Sequence, residues 1–183
     1  MSFSNPTGPK RVVITGAPGV GKTSICDRLA AQGIYCVQEP AREIIAEQRV
    51  IGGDGVWERN TRLFLELLLS RSIARFQQSL SGQTLYDRGL PDLLAYARLA
   101  GIDFPAAQRA AEHFRYQSQV FIAAPWVEIY TTDEERTMSF AAISGFHEDL
   151  VASYKSLGYE LVEIPCGSID ERAKFVISKL SPL

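Results

Sequence analysis

The sequence has no excess of charge of either sign. Its 183 residues contain 19 Lys and Arg against 21 Asp and Glu, which leaves a formal net charge of −2. Proteins that bind nucleic acid usually carry a surplus of basic residues, so the composition argues against a nucleic-acid partner.

Cysteines are few, and long hydrophobic runs are missing. The three cysteines are odd in number and widely spaced, which indicates neither a disulfide framework nor a zinc site and is typical of a reducing compartment. No run reaches the ~20 apolar residues that span a membrane, and the polar segment 1–10 lacks the apolar stretch of a signal peptide. We therefore expect a cytoplasmic protein without membrane contact, in which residues 1–10 form a flexible N-terminal segment.

The rest of the composition is that of a globular protein, with 46% hydrophobic and 22% charged residues. The length suits one domain, which we expect over residues 11–183. Five short apolar segments alternate with longer helical patterns: Val12–Ile14, Tyr35–Gln38, Thr84–Tyr86, Val120–Ala123 and Glu160–Ile164. This alternation predicts an α/β fold, a three-layer α/β/α arrangement with a five-stranded parallel sheet.

The longest helical pattern runs from Trp57 to Leu80, with apolar residues at helical spacing. Its apolar face could pack inside the protein or form the seam of a homodimer, and the pattern leaves both possibilities open. A second long helix is predicted from Glu134 to Leu157.

A phosphate-binding loop is the strongest motif in the chain. The predicted nucleotide site comprises Gly16, Ala17, Pro18, Gly19, Val20, Gly21, Lys22, Thr23 and Ser24, and its first eight residues match G-x-x-x-x-G-K-[ST], the Walker A pattern. A buried strand precedes the motif and a helix follows it, so the glycines can turn backbone N–H groups toward a phosphate at the helix N-terminus. In this motif Lys22 would reach the β- and γ-phosphates of ATP, and the Thr23 hydroxyl would ligate Mg²⁺.

Charged residues follow the predicted third strand, at the edge of the sheet where ligands bind in this fold class. Asp87 directly follows the apolar strand and could hold Mg²⁺ through water or through Thr23, or it could cap the following helix. Arg88 could clamp a substrate hydroxyl or phosphate, or form a solvated ion pair. Asp92 lies in the same segment and is included among the candidate substrate contacts.

The second strand is followed by Glu39-Pro40, which makes Glu39 the candidate catalytic base. Its carboxylate could accept the proton of an attacking hydroxyl, or it could simply stabilise the start of the following helix. Arg42, one turn into that helix, could meet a substrate anion or pair with Glu43 or Glu47 on the surface.

A lid is expected around residues 126–140, after the fourth strand. Arg136 is its candidate catalytic residue, because a mobile arginine could stabilise the charge that develops on the transferred phosphoryl group. An ordinary exposed arginine on an acidic helix start is the alternative. No other Arg or Lys occurs between Trp126 and Lys155.

The chain resembles the AAA_28-type predicted ATPases from about Arg11 onward. The resemblance is carried by the phosphate loop, by Glu39-Pro40-Ala41-Arg42-Glu43-Ile44-Ile45, by Tyr86-Asp87-Arg88-Gly89-Leu90-Pro91-Asp92, by Asp133-Glu134-Glu135-Arg136 and by Leu157-Gly158-Tyr159-Glu160-Leu161-Val162. That family includes the kinase domain of the bifunctional nicotinamide-nucleotide regulator and a GTP-binding group, and the chain is also similar to deoxynucleoside kinases. The resemblance implies a P-loop NTPase fold of the nucleotide-kinase type, with Glu39, Asp87 and Arg88 in the places of the residues that handle the substrate hydroxyl.

Two functions follow as hypotheses. The first is an Mg²⁺-dependent kinase that transfers the γ-phosphate of ATP to a hydroxyl or phosphate of a small, nucleoside- or nucleotide-like acceptor. The second is a slow NTPase that acts as a nucleotide-dependent switch, which the single lid arginine and the GTP-binding relatives favour. No N-K-x-D guanine signature is present, which argues for ATP over GTP.

Overall fold

The computed structural model describes residues 9–78, 82–126 and 139–180. The predicted N-terminal segment lies almost wholly outside these residues, and so do positions 127–138 of the predicted lid. Within the described residues, no helix combines the length and apolar character needed to cross a lipid bilayer.

Strands and helices alternate along the described chain. The strands are β1 (Lys10–Gly16), β2 (Tyr35–Val37), β3 (Gln83–Asp87), β4 (Gln119–Ala123) and β5 (Glu160–Ile164). The helices are α1 (Lys22–Ala30), α2 (Ala41–Ile51), α3 (Thr61–Gln77), α4 (Asp92–Leu99), α5 (Pro105–His113), α6 (Phe140–Ser156) and α7 (Ile169–Lys179).

The five strands form one parallel sheet in the order β2-β3-β1-β4-β5. The α/β fold and the parallel sheet predicted from the alternating pattern are confirmed. Strand β1 lies at the centre, with β3 on one side and β4 on the other. Ile14 of β1 pairs with Asp87 of β3, and Val37 of β2 pairs with Tyr86 of β3. This register brings the ends of β1, β2 and β3 to the same edge of the sheet.

The sheet separates two apolar cores because successive strand residues face opposite sides. Val13 and Tyr86 belong to one core, which contains residues of α2, α3, α4 and α5. Val12, Ile14 and Leu85 belong to the other, which is covered chiefly by α1, α6 and α7. The three layers follow from this alternation.

Helix α3 is shorter than the pattern from Trp57 to Leu80 predicted. It begins at Thr61 because the Asn60 side chain accepts a hydrogen bond from the Leu63 backbone N–H at 3.0 Å, which caps the helix. Its apolar side chains pack inward, with Phe64, Leu65, Leu68 and Phe76 all buried. The apolar face of α3 therefore packs inside the protein, which is the first of the two possibilities. The homodimer stays a prediction.

Helix α6 also begins later than predicted. Ser139 has extended backbone geometry and accepts a hydrogen bond from the Ala142 N–H at 3.2 Å, so the helix begins at Phe140. The residues between Glu134 and this cap lie outside the described residues.

Candidate active site

The predicted phosphate loop connects β1 to α1, as the motif requires. Strand β1 ends at Gly16 and helix α1 begins at Lys22. Gly16 has a φ of +146°, and a Cβ atom there would lie 2.4 Å from the carbonyl oxygen of Ala123. Any larger residue would therefore collide with the end of β4, which explains glycine at the first position of the loop.

Lys22 points back over the loop. Its Nζ donates a hydrogen bond of 2.9 Å to the backbone oxygen of Ala17, and the residue is only 6% exposed. Burial, together with the charge of Arg88, lowers the pKa of Lys22 to about 8, although Asp87 and Glu39 oppose the shift. An ammonium group in this setting would gain from a bound phosphate, which would restore its ordinary pKa.

Thr23 and Asp87 contact each other across 64 residues of sequence. The Thr23 hydroxyl donates to Oδ2 of Asp87 at 3.2 Å. Oδ1 of Asp87 is buried and has no hydrogen-bond partner within the described residues. Burial raises the pKa of Asp87, while Lys22 and Arg88 hold it down.

This pair fits a magnesium ion, although no described cluster of three or more His, Cys, Asp or Glu residues could hold a metal without other ligands. Mg²⁺ prefers oxygen ligands and usually takes one or two from protein and the rest from water and phosphates. The Thr23 hydroxyl and the unpartnered Asp87 oxygen are groups of that kind.

Glu39 and Arg88 meet where β2 and β3 end. Nε of Arg88 lies 2.8 Å from Oε1 of Glu39, and the two side chains are 7% and 23% exposed. The N–H of Nε is not aimed at the carboxylate, since this nitrogen has no hydrogen-bond partner among the described residues, so the contact is an ion pair. Tyr96 of α4 donates a weak hydrogen bond of 3.4 Å to the same Glu39 oxygen.

The backbone at Arg88 has an uncommon conformation. Its φ of +70° is the only positive value among non-glycine residues in the described part of the chain. Its N–H donates to the Ile14 oxygen at 2.9 Å, and Nη1 donates to the Gly16 oxygen at 2.9 Å. Left-handed backbone in a residue with a side chain is concentrated at functional sites, so this geometry supports a role for Arg88.

The buried carboxylate of Asp92 holds the Arg88 side chain in place. It is 2% exposed and accepts hydrogen bonds from Thr15 at 2.7 Å, Tyr154 at 2.5 Å, Arg88 at 2.9 Å and the Gly89 N–H at 3.0 Å. With both oxygens engaged by protein groups, Asp92 is placed to hold Arg88. Its predicted contact with substrate stays a prediction.

A narrow pocket of about 20 Å³, partly open to solvent, lies beside these groups. Its polar wall includes Glu39, Asp87, Arg88 and Ser72, and its apolar wall includes Leu68 and Leu93. The ring of Tyr96 also lines the pocket and packs edge-on against Trp57, with centroids 6.0 Å apart. The pocket therefore presents a polar wall and an apolar wall side by side, and a small molecule would have to widen it to bind between them.

The remaining predicted residues are exposed or lie outside the described chain. Ser24 is exposed in the first turn of α1, and Arg42 is exposed on α2. The two acids named as alternative partners of Arg42 contact α3: Glu43 contacts Arg71 and Arg75, and Glu47 contacts Arg71. The pairing of Arg42 stays a prediction. Arg136 lies outside the described residues.

Several residues at the site were not found by sequence reasoning. Tyr96 and Ser72 line the pocket, while Thr15 and Tyr154 hold Asp92. None of them belongs to a motif, and each reaches the site through a contact between distant segments. Tyr96 falls four residues after Asp92 on α4, a helical spacing that places the two side chains on the same face.

The family model AAA_28, described as an AAA domain, matches residues 11–172. The chain belongs to this family. No curated protein sequence matches the chain.

Solved P-loop kinases have a similar fold. A deoxyadenosine kinase from M. mycoides with products bound is 12% identical, with a TM-score of 0.64 over 92% of this chain and 97% of its own. A thymidylate kinase from Ehrlichia chaffeensis is 16% identical, with a TM-score of 0.59 over 93% of this chain and 98% of its own. A NadR protein in complex with NR is 17% identical, with a TM-score of 0.65 over 93% of this chain and 49% of its own, so this AAA_28 protein corresponds to about half of that molecule. At these identities the likeness establishes the P-loop nucleotide-kinase fold.

Proposed function

We propose that the protein is an Mg²⁺-dependent kinase that transfers the γ-phosphoryl group of ATP to a hydroxyl of a small nucleoside-like acceptor. The observation that carries the proposal is the convergence of Glu39, Asp87 and Arg88 on one pocket, beside the loop that bears Lys22 and Thr23. Phosphoryl transfer needs mainly positioning and charge stabilisation, which these groups can supply.

Each residue of the site would have its own role in phosphoryl transfer. Lys22 and the loop N–H groups would bind the β- and γ-phosphates. Thr23 and Asp87 would hold Mg²⁺, which neutralises phosphate charge when it is bound. Glu39 would accept the hydroxyl proton of the acceptor, and Arg136 of the proposed lid would close over the phosphates. We further propose that residues 11–183 act as one domain with this lid at 126–140.

The charges at the pocket favour a hydroxyl acceptor over a phosphate acceptor. The cations Lys22 and Arg88 are outnumbered by the carboxylates of Glu39, Asp87 and Asp92. Arg88 is already engaged by Glu39 and by Asp92. Among the described residues that line the pocket, a phosphate monoester would meet carboxylates and an Arg88 that is already paired, whereas a neutral hydroxyl would meet a hydrogen-bond acceptor in Glu39.

The acceptor class in this proposal comes from the solved proteins that have a similar fold. Their names describe a deoxyadenosine kinase, a thymidylate kinase and a NadR protein with NR. The apolar wall and the Tyr96 ring beside a carboxylate offer the groups that a ring with a sugar hydroxyl would contact.

The test measures ADP formation from Mg²⁺-ATP in the presence of pooled nucleosides, nucleotides, sugars and pyridine ribosides. We expect little ADP until one pool is added, because a kinase site that closed without its acceptor would lose the phosphoryl group to water. The Lys22→Ala variant should give no acceptor-dependent signal. Slow ADP formation that is the same with every pool would contradict the kinase and support the switch.

A further inference from the structure

A positively charged side chain from α7 reaches the phosphate loop from the far end of the chain. Arg172 is 4% exposed, and its Nη1 donates a hydrogen bond of 2.9 Å to the backbone oxygen of Val20. A Cβ atom at Gly21 would lie 2.9 Å from the same nitrogen. The guanidinium group therefore packs directly against the Val20–Gly21 peptide.

The charge of Arg172 has no carboxylate partner in the described part of the chain. Its Nε is buried there without a hydrogen-bond partner. Burial lowers the pKa of Arg172, yet a guanidinium stays protonated in proteins. Burying a charge without a counter-charge is costly, and an anionic ligand nearby would offset that cost.

The hydrogen bond to Val20 also sets the direction of a backbone donor. The C=O of Val20 and the N–H of Gly21 belong to one trans peptide group, so they point in opposite directions. Because the C=O points at Arg172, the Gly21 N–H points away from Arg172. The bond also polarises the peptide, which makes that N–H a stronger donor.

We propose that Arg172 is a positioning residue of the phosphate-binding loop. It fixes the Val20–Gly21 peptide so that the Gly21 N–H faces the nucleotide phosphates, and its buried charge adds to their attraction. Helix α7 thereby becomes part of the nucleotide site. The proposal rests on the nucleotide-binding part of the proposed function alone, and it holds whether the γ-phosphate goes to an acceptor or to water.

The test compares nucleotide affinities by titration calorimetry. We expect Arg172→Met to weaken ATP binding about tenfold or more, because it removes both the donor that fixes the Val20–Gly21 peptide and the positive charge behind that peptide. Arg172→Lys should recover part of that loss. Arg28→Met is the matched control: Arg28 of α1 contacts α7 through an exposed ion pair of 2.6 Å with Asp170, and the described residues show no contact of its side chain with the loop. This control should bind ATP like the unaltered protein.

A purely structural role gives a different result. In that case Arg172→Met lowers the melting temperature but leaves the ATP affinity of the folded protein unchanged, which would overturn the proposal. Should Arg172→Met fail to fold, Arg172→Gln keeps an N–H donor while losing the charge, and the same comparison applies. Unchanged ATP affinity in Arg172→Gln would count against the proposed role of the charge.

A parallel titration of Lys22→Ala separates this inference from the function on which it rests. Unchanged ATP affinity in Lys22→Ala would refute the nucleotide site itself, and the role of Arg172 with it. Lost affinity in Lys22→Ala together with unchanged affinity in Arg172→Met would refute only the role of Arg172.

Discussion

Arg88 Nε and Glu39 Oε1 lie 2.8 Å apart at the edge of the sheet, although the two residues belong to different strand–helix connections. The contact joins the end of β2 to the end of β3 and places a carboxylate and a guanidinium on one wall of the pocket. Arg88 is in turn held by Asp92. The candidate base is thus positioned through a chain of buried charges.

Replacing the candidate base should remove turnover and spare nucleotide binding. We expect Glu39→Gln to lower kcat with the preferred acceptor by roughly 10²–10⁴-fold, the usual contribution of a general base. ATP affinity, measured by calorimetry, should change little. Glu47→Gln is the control, since Glu47 pairs with Arg71 away from the pocket, and it should keep full activity. Full turnover in Glu39→Gln would eliminate Glu39 as the base.

ATP affinity should fall as the pH rises above about 8. Burial lowers the pKa of Lys22 to about 8, and bound phosphates would raise it again. Below pH 8 Lys22 is already protonated in the free protein, so ATP binds with its full affinity. Between pH 8 and the higher pKa of Lys22 in the complex, binding requires Lys22 to take up a proton, so the affinity falls as the pH rises. Calorimetry in buffers of different ionisation enthalpy measures that proton. The Lys22→Ala variant should take up none, and a flat affinity from pH 7 to 9.5 in the unaltered protein would contradict the assignment.

The Thr23–Asp87 pair should govern the dependence on magnesium. We expect Thr23→Ala and Asp87→Asn each to raise the Mg²⁺ concentration needed for half-maximal turnover, by roughly 10–100-fold as for other groups that support a metal. Binding of ATP without metal should change much less. The measurement is a Mg²⁺ titration of turnover at saturating ATP. Equal loss of ATP binding with and without Mg²⁺ would argue against a metal role.

The hydrogen bond from Tyr154 to Asp92 should stabilise the fold. Both residues are buried, and the bond is 2.5 Å long with a charged acceptor. Tyr154→Phe should therefore lower the free energy of unfolding by about 1.5–3 kcal/mol in urea denaturation. Tyr35→Phe, at a side chain that is 56% exposed, should have no measurable effect. Equal stability of the two variants would mean that the Asp92 cluster contributes little.

The sequence carried enough information for the sheet and for the phosphate loop. β-Branched runs such as Val12–Ile14 predict strands locally, and the loop is a contiguous motif between a strand and a helix. Glu39, Asp87 and Arg88 were predictable because parallel strands end at one edge of a sheet. That rule places residues near one another without any knowledge of side-chain contacts.

The contacts that hold Asp92 in place could not be predicted from the sequence in the same way. Asp92 is held by Thr15, 77 positions away, and by Tyr154, 62 positions away. Such contacts depend on how α4 and α6 pack, which no local pattern encodes. The start of α3 shows a different limit: the apolar Trp57 extended the predicted helical pattern beyond the true start, which the Asn60 cap sets at Thr61.

The fate of the γ-phosphate tests the proposed function most directly. With the preferred acceptor, ³¹P NMR would measure the new phosphate ester, free phosphate and ADP in one reaction. The proposed kinase predicts one phosphate ester for each ADP, little free phosphate, and loss of the ester in Glu39→Gln. One free phosphate for each ADP, with no ester from any acceptor, would contradict it.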